Sequence, residues 1–352
     1  MILLREIQER DLDSLEQFSQ VPGFINLTGD RDLLKEKITR SITSFNVPLK
    51  DLVPNQFEGK FIFIAEEVES KKVLGTSMIA SQHGTQESPH FYLELGSEKK
   101  FSDMINTEFI HGTLKLKYDT NGPSEIGGLI LNPDYRNSNE RIGRQIFFVR
   151  FLYLALNRSR FKRKILAELL PPLNKKGQSP LWEAIGRRFT NMDYWEADEL
   201  CQKNKEFIFS LFPTGKMYTT FFSAEARNAI GKVGRDTEPV LHMLKKIGFQ
   251  YKNQVDPFDG GPHLWANVDE LLPLKRLGQF SLVCGSADSF NEGDQTQGLL
   301  CPTQSKLGEF RAVSVHVITH NGKLRILEPK EARAESVLGL KDGDAVTFMP
   351  YY

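Results

Sequence analysis

"LILNPDYRNSNERIGRQIFFVRFLYLAL", residues 129–156, decides how the chain is read. An apolar run meets Asn132-Pro133, then a polar, arginine-bearing loop, then Gly143 and a long helix-patterned segment. Proline has no N–H to donate, so the Asn-Pro step ends strand pairing and predicts a strand that splays from its neighbour. Ile142, Ile146, Val149, Tyr153 and Leu156 fall on one helical stripe, which Phe147, Phe148, Phe151 and Leu152 widen. That predicts a helix from about residue 142, buried on two sides. A helix N-terminus leaves backbone N–H groups without partners and carries about half a positive charge. Arg136, Arg141 and Arg144 add charge, and Gly143 lets backbone approach, as binding a pyrophosphate requires. An ordinary strand–loop–helix connection fits the same stretch.

Working outward, "ILLREIQERDLDSLEQFS" reads as a strand and a helix with Asp11 near its start. "RDLLKEKITRSITSF" is an amphipathic helix, and apolar runs 61–65 and 73–80 flank a charged turn as a hairpin. Residues 90–120 read as short strands and loops, and "KRKILAELL" as a strand stopped by Pro171-Pro172. "SPLWEAIGRRFTNMDY" and "TEPVLHMLKKIGFQYKNQVD" share one pattern, helix, glycine, then strand, with Gly186 and Gly248 as expected C-caps. The pattern is compatible with a duplication whose second half starts near residue 178. From about Leu274 the texture changes: "GQFSLVCGSADSFNEGDQTQGLLCP" reads as loop, and strands alone are expected after it. Asn321-Gly322 and Asp342-Gly343 mark turns there. The expected organisation is an α/β (α+β) region over 1–273 and, over 274–352, a linker with a small all-β barrel or ribbon module.

Lys+Arg and Asp+Glu both number 45, a formal net charge of +0, which argues against a nucleic-acid partner. No apolar run approaches the roughly 20 residues of a membrane span. "MILLREIQERDL" lacks the form of a signal peptide. Cys201, Cys284 and Cys301 form no C-x-x-C pair and fit free thiols, so a cytoplasmic protein is expected. The seven histidines show no metal-ligand spacing and no readable carboxylate–histidine cluster, so no metal is expected. No Ser-His-Asp or Cys-His constellation is legible either, which fits direct group transfer.

A pyrophosphate beside an amide-bearing arm describes coenzyme A. The element order, with its R-x-x-x-x-x-x-G loop before the helix, resembles the GNAT acyl-CoA N-acyltransferases, although their usual glycine signature is stretched here. "LNPDYR", "SPLWEAIGRRFTNMDYWEADEL", "FFSAEARNAIGKVG" and "GFQYKNQVDPFDGGP" occur in an order that resembles bacterial arginine N-succinyltransferases over about residues 2–350. The resemblance implies a GNAT-type core and transfer of succinyl from succinyl-CoA to the α-amino group of L-arginine. Succinyl-CoA is then a co-substrate, with no permanently bound cofactor, and a homo- or hetero-oligomer is expected. The family's succinyl-CoA contact falls on Leu129, which also reads as a buried strand residue; a backbone amide near Leu131 is a candidate donor to the developing oxyanion.

The family's proton-donating histidine falls on Gly234 in "IGKVGRDT", and glycine has no proton to give. His242 and Asp236 are candidate substitutes; alternatively the thiolate, with a pKa near 8.5, leaves unaided. Asp256 and Asp259 in "DPFDGGP" fit a guanidinium and fit turn chemistry equally. Arg187 and Arg188 fit the succinyl carboxylate and fit a solvated helix end. Two rivals stay open: an acyltransferase for another amine such as ornithine, or a non-catalytic, regulatory acyl-CoA-binding subunit.

Overall fold

The computed structural model describes residues 1–20, 29–52, 57–136, 138–285, 294–327 and 331–352. Along the chain come β1 (Ile2–Glu6), α1 (Leu12–Ser19), α2 (Arg31–Asn46), β2 (Lys60–Glu67), β3 (Val73–Ala80), β4 (His90–Ser102), β5 (Thr107–Asp119) and β6 (Ser124–Leu131). Then follow α3 (Ile142–Leu156), β7 (Lys164–Glu168), α4 (Pro180–Ala184), α5 (Gly186–Thr190), α6 (Tyr194–Lys203), α7 (Glu206–Leu211), β8 (Met217–Tyr218) and α8 (Ala224–Ala229). Last are α9 (Glu238–Ile247), β9 (Gln250–Val255), β10 (Pro262–Asn267), α10 (Leu272–Lys275), β11 (Gly278–Leu282), β12 (Asp294–Pro302), β13 (Arg311–His320), β14 (Lys323–Ile326), α11 (Glu331–Leu338) and β15 (Ala345–Pro350). The mixture is α/β. Among the described residues no helix is long and apolar enough to cross a membrane.

Contacts divide the chain into two compact units: 1–81, 126–163 and 268–352 form one, 82–125 and 164–267 the other. The tail groups with the N-terminus because β1 pairs antiparallel with β13, Leu3 opposite Val313. Leu3 also packs in one core with Leu282, Leu300, Val315, Val317 and Phe348.

In the first unit, β6, β3, β2, β1 and β13 are successive neighbours. β13 then belongs to a closed ring: β12 with β13, β13 with β14, β14 with β11 in parallel, β11 with β15, and β15 with β12. Closure leaves these strands no open edge. Two expectations fail here. "GQFSL" and "DQTQGLLCP" are strands rather than loop, with residues 286–293 between them outside the described residues. The stretch 331–338 is helical rather than strand, with Ala334 and Leu338 buried in the ring's core.

β1 is buried at every position, although it carries Arg5 and Glu6. Arg5 donates bidentately to Asp11, both contacts 2.8 Å, and to Glu66 at 2.7 and 2.9 Å. Such full pairing is what makes buried charge tolerable. Asp11 thus serves β1 and the Gln8 N–H rather than capping α1 with its side chain. α3 is enclosed as its pattern predicts, with Tyr153 in an aromatic cluster with Phe45, Phe61, Phe63 and Phe310 at 4.9–5.3 Å.

In the second unit one sheet runs β7-β10-β9-β4-β5-β8. Residues 90–120 are two thirteen-residue strands pairing without interruption from His90↔Asp119 to Ser102↔Thr107, not short strands and loops. The outer half of this hairpin is largely solvated, so it lacks the alternation that announces a strand. Gly186 is a second correction. It begins α5 rather than capping α4, and left-handed Asn191 (φ 57°) takes the C-cap. A Cβ on Gly186 would lie 2.1 Å from the Trp182 ring, so glycine is needed for packing. Gly248, in contrast, caps α9 with φ 118°, as read.

Candidate functional site

Each unit carries part of the candidate chemistry. In the first, β6 bends at Gly128, which adopts φ +56° beside Met78. Its pairing with β3 continues one residue further through the Asn132 N–H to the Leu74 carbonyl, 2.8 Å. Asn132 then accepts from the Asp134 N–H, opening a short turn over Pro133–Tyr135. The chain enters α3 through Arg141 in the left-handed region, and among the described residues no side chain caps the helix. An uncapped N-terminus is an anion site in waiting. A Cβ on Gly143 would sit 3.5 Å from Leu131, so the end of β6 and the first turn of α3 adjoin.

Leu129, Leu131 and Gly143 are half-buried, and Arg136 and Arg141 are exposed. Arg144 is already engaged: it donates to the Tyr352 carbonyl at 2.6 Å and stacks 4.4 Å from the Tyr351 ring. Burial lowers its pKa. Deeper in α3 is Arg150, which the phenylalanine-rich pattern concealed. It donates to the carbonyls of Phe147 and Gly127, and burial pulls it down to about 9.

In the second unit the strands bring several groups to one rim: the C-terminal ends of β7 and β9 and the N-terminal ends of β10 and β4. Antiparallel pairing sets these ends side by side, with Glu168 directly opposite His263. His90 opens β4, and His83 is held by its N–H to the Pro123 carbonyl, 2.7 Å. Three imidazoles face one oxygen, Oε1 of Glu168: Nε2 of His83 at 3.6 Å, of His90 at 3.3 Å and of His263 at 3.4 Å. Nδ1 of His83 lies 2.9 Å from Glu125. His90 and His263 are 1% and 0% exposed, and no ring nitrogen of either makes a geometrically sound hydrogen bond among the described residues. His83 and Glu168 keep some access to solvent, their side chains 21% and 28% exposed.

The electrostatics follow from this crowding. Burial opposes the Glu168 charge, but the facing imidazoles outweigh it and hold the carboxyl well below its usual range. Burial lowers His90, and it pushes His263 down to about 4. Burial would lower His83 too, yet Glu125 and Glu168 raise it overall. Asp256 is raised to about 7, by burial first and then by the Glu168 charge, against its two backbone donors. Asp259 is raised by burial and by Asp256.

Asp256 therefore joins Glu168 and His263, their ligating atoms within 4.8 Å of one another. Both aspartates also build the turn read from sequence: Asp256 accepts from Phe258 and Asp259, and Asp259 from Gly261. Arg187 is paired with Glu183 at 2.8 Å, and Arg188 is exposed. Gly234 donates to the Leu170 carbonyl at 2.8 Å, two residues beyond Glu168. Asp236 and His242 are both exposed. The histidine–carboxylate cluster was illegible because its members are spread from position 83 to 263. The only local hint was polar residues at apolar strand ends. Its chemistry is that of holding a cation or passing a proton.

The family model described as arginine N-succinyltransferase beta subunit matches residues 2–272. The arginine N-succinyltransferase of Yersinia pseudotuberculosis serotype O:3 (strain YPIII) is 31% identical over 356 residues, covering 100% of this chain and 98% of that protein. That of Citrobacter koseri is 32% identical over 288 residues, covering 81% of each. A solved structure described as arginine/ornithine succinyltransferase subunit AI from Pseudomonas aeruginosa shares the fold, with TM-score 0.80 and 24% identity over 99% of this chain and 98% of that one. The chain belongs to the arginine N-succinyltransferase family and is an acyltransferase.

Proposed function

We propose that the chain moves succinyl from succinyl-CoA to the α-amino group of L-arginine, by direct attack of the amine on the thioester in a GNAT-like core. The observation that carries this reading is full-length likeness to the arginine N-succinyltransferases. The uncapped α3 N-terminus supports coenzyme A binding: Arg136, Arg141 and Gly143 meet the diphosphate, and backbone at Leu129 and Leu131 pairs with the pantetheine arm. Arg144 braces that turn through Tyr351 and Tyr352. Asp256 and Asp259 suit the guanidinium: a cation beside them would offset the burial that raises both carboxyls, together with the Glu168 charge on Asp256 and the Asp256 charge on Asp259. Arg187 and Arg188 are the proposed partners of the succinyl carboxylate.

The amine must attack in its neutral form, and an α-amino group titrates near 8, so deprotonation needs no strong base. The sulfur leaves as a thiolate whose pKa is near 8.5. Gly234 at the family's donor position is tolerable on those grounds. Neither Asp236 nor His242 gains support as a substitute, since both face solvent. We also propose association with a second chain. The hairpin tip exposes Phe101, Met104, Ile105, Phe109 and Ile110, which supports it. Three free thiols support residence in the cytoplasm.

The test is thiol release from succinyl-CoA by the purified chain with L-arginine, with L-ornithine and with no amine, beside Gly234→His. Arginine-dependent release by the unmodified chain is expected. Preference for ornithine moves the substrate. Coenzyme A binding without release from either protein makes the chain a binding subunit. Gly234→His is a usable probe because its φ of −66° suits any residue, although its Cβ would press on the Pro171 carbonyl at 3.0 Å and touch that of Leu170 at 3.5 Å, so circular dichroism checks the fold of the variant.

A further inference from the structure

We propose that His83, His90 and Glu168 form a binding site for one divalent cation of the zinc class. The inference does not depend on which amine or acyl group the chain handles. It rests on the convergence of ring nitrogens on one carboxylate oxygen. A carboxylate oxygen has two lone pairs, and three imidazoles face Oε1 of Glu168 at 3.3–3.6 Å. These separations exceed good hydrogen bonds to a carboxylate, which run about 2.7–2.9 Å. They match the edge of a tetrahedral metal site. Bonds of about 2.0–2.2 Å from zinc to nitrogen and oxygen put neighbouring ligand atoms about 3.4 Å apart.

The ligating atoms of His83, His90 and Glu168 lie within 4.8 Å of one another, so one ion can reach all three. The arrangement around them fits the same reading. Glu125, 2.9 Å from Nδ1 of His83, holds that ring as a carboxylate orients a metal-bound histidine, leaving the Nε2 lone pair turned to Glu168. His90 is 1% exposed, its Nε2 is aimed at Oε1 and unpartnered, and it stands edge-on to His83 with ring centroids 4.6 Å apart. Two histidines and one carboxylate leave a fourth position, and partial exposure of His83 and Glu168 opens it to solvent. Glu125 and Glu168, both facing His83, supply the negative charge that a bound cation would meet there.

The experiment titrates the metal-depleted full chain with zinc alone by calorimetry and with cobalt(II) alone by visible absorption. His83→Ala, Glu168→Gln and Glu125→Gln are run alongside, with circular dichroism checking each fold. Saturation near about one ion per chain is expected, with intense tetrahedral cobalt bands. Glu168→Gln should abolish binding, His83→Ala weaken it by at least about tenfold, and the positioning change Glu125→Gln by about 10–100-fold. His83 and Glu168 are partly exposed, so at least one of these variants should fold. Absence of saturable binding to the unmodified chain would overturn the proposal. So would binding unchanged in His83→Ala and Glu168→Gln, which would assign the metal elsewhere, for example to the free thiols. Glu168-dependent binding of L-arginine alone, with no uptake of metal, would overturn it in favour of a guanidinium site.

Discussion

At the residue scale, buried charge is where the chain is most readily tested. Glu6 is 7% exposed in β1. Burial, and then Glu309, raise its carboxyl from 4.5 to about 7, against Arg311 and Arg5. The fold therefore prefers the neutral acid. Its contribution to stability is complete below pH 4.5 and is lost as pH rises through about 7. Glu6→Gln should be more stable than the unmodified chain by about 2 kcal/mol at pH 8. The gain should vanish near pH 4.5, the ordinary value of the group. Denaturant melts across that range check it; a difference that does not change with pH would contradict the assignment.

At the element scale, α3 and the α4–α5 pair depend on local geometry that single changes can separate. Arg141 stands at the uncapped end of α3. An acidic residue there suits the helix dipole by about 0.3–1 kcal/mol but repels a diphosphate. Arg141→Glu should therefore keep or slightly raise the melting temperature and weaken coenzyme A binding about tenfold or more, read by calorimetry. A loss of stability together with unchanged affinity would remove α3 from the binding site. Gly186→Ala drives a methyl into the Trp182 ring, which is fully buried and stacked on Phe258 at 5.0 Å. A cost of about 1–3 kcal/mol is expected, with Trp182 fluorescence altered.

At the scale of the whole molecule, the N-terminal strand and the C-terminal ring share a core. Leu3→Ala removes a side chain packed among ring residues from Leu282 to Phe348. It should cost about 2–5 kcal/mol. Amide exchange should accelerate together in β1, β2 and the ring strands, because β1 pairs with both β2 and β13. Exchange confined to β1 would mean the ring is stable on its own.

Much of this was written locally. The apolar stripe from Ile142, the Asn-Pro stop after Leu131, the Asn321-Gly322 turn and the Gly248 cap each depend on a few neighbouring residues, and each holds in the structure. Family motifs such as "SPLWEAIGRRF" were legible for the same reason, being contiguous. The long β4–β5 hairpin was not, because its outer half faces water on both sides and gives no two-residue period. The helix at 331–338 and the joining of the tail to β1 are products of packing against residues far away in the chain. The histidine–carboxylate cluster is the extreme case. His83, His90, Glu125, Glu168 and His263 have no spacing to read: antiparallel pairing sets the strand ends of Glu168, His263 and His90 side by side, and a loop contact to Pro123 brings His83 to them. Sequence alone determined the elements whose causes lie within a turn or two of chain. Tertiary structure decided every feature that needs two distant backbones side by side, because no local free energy encodes that meeting.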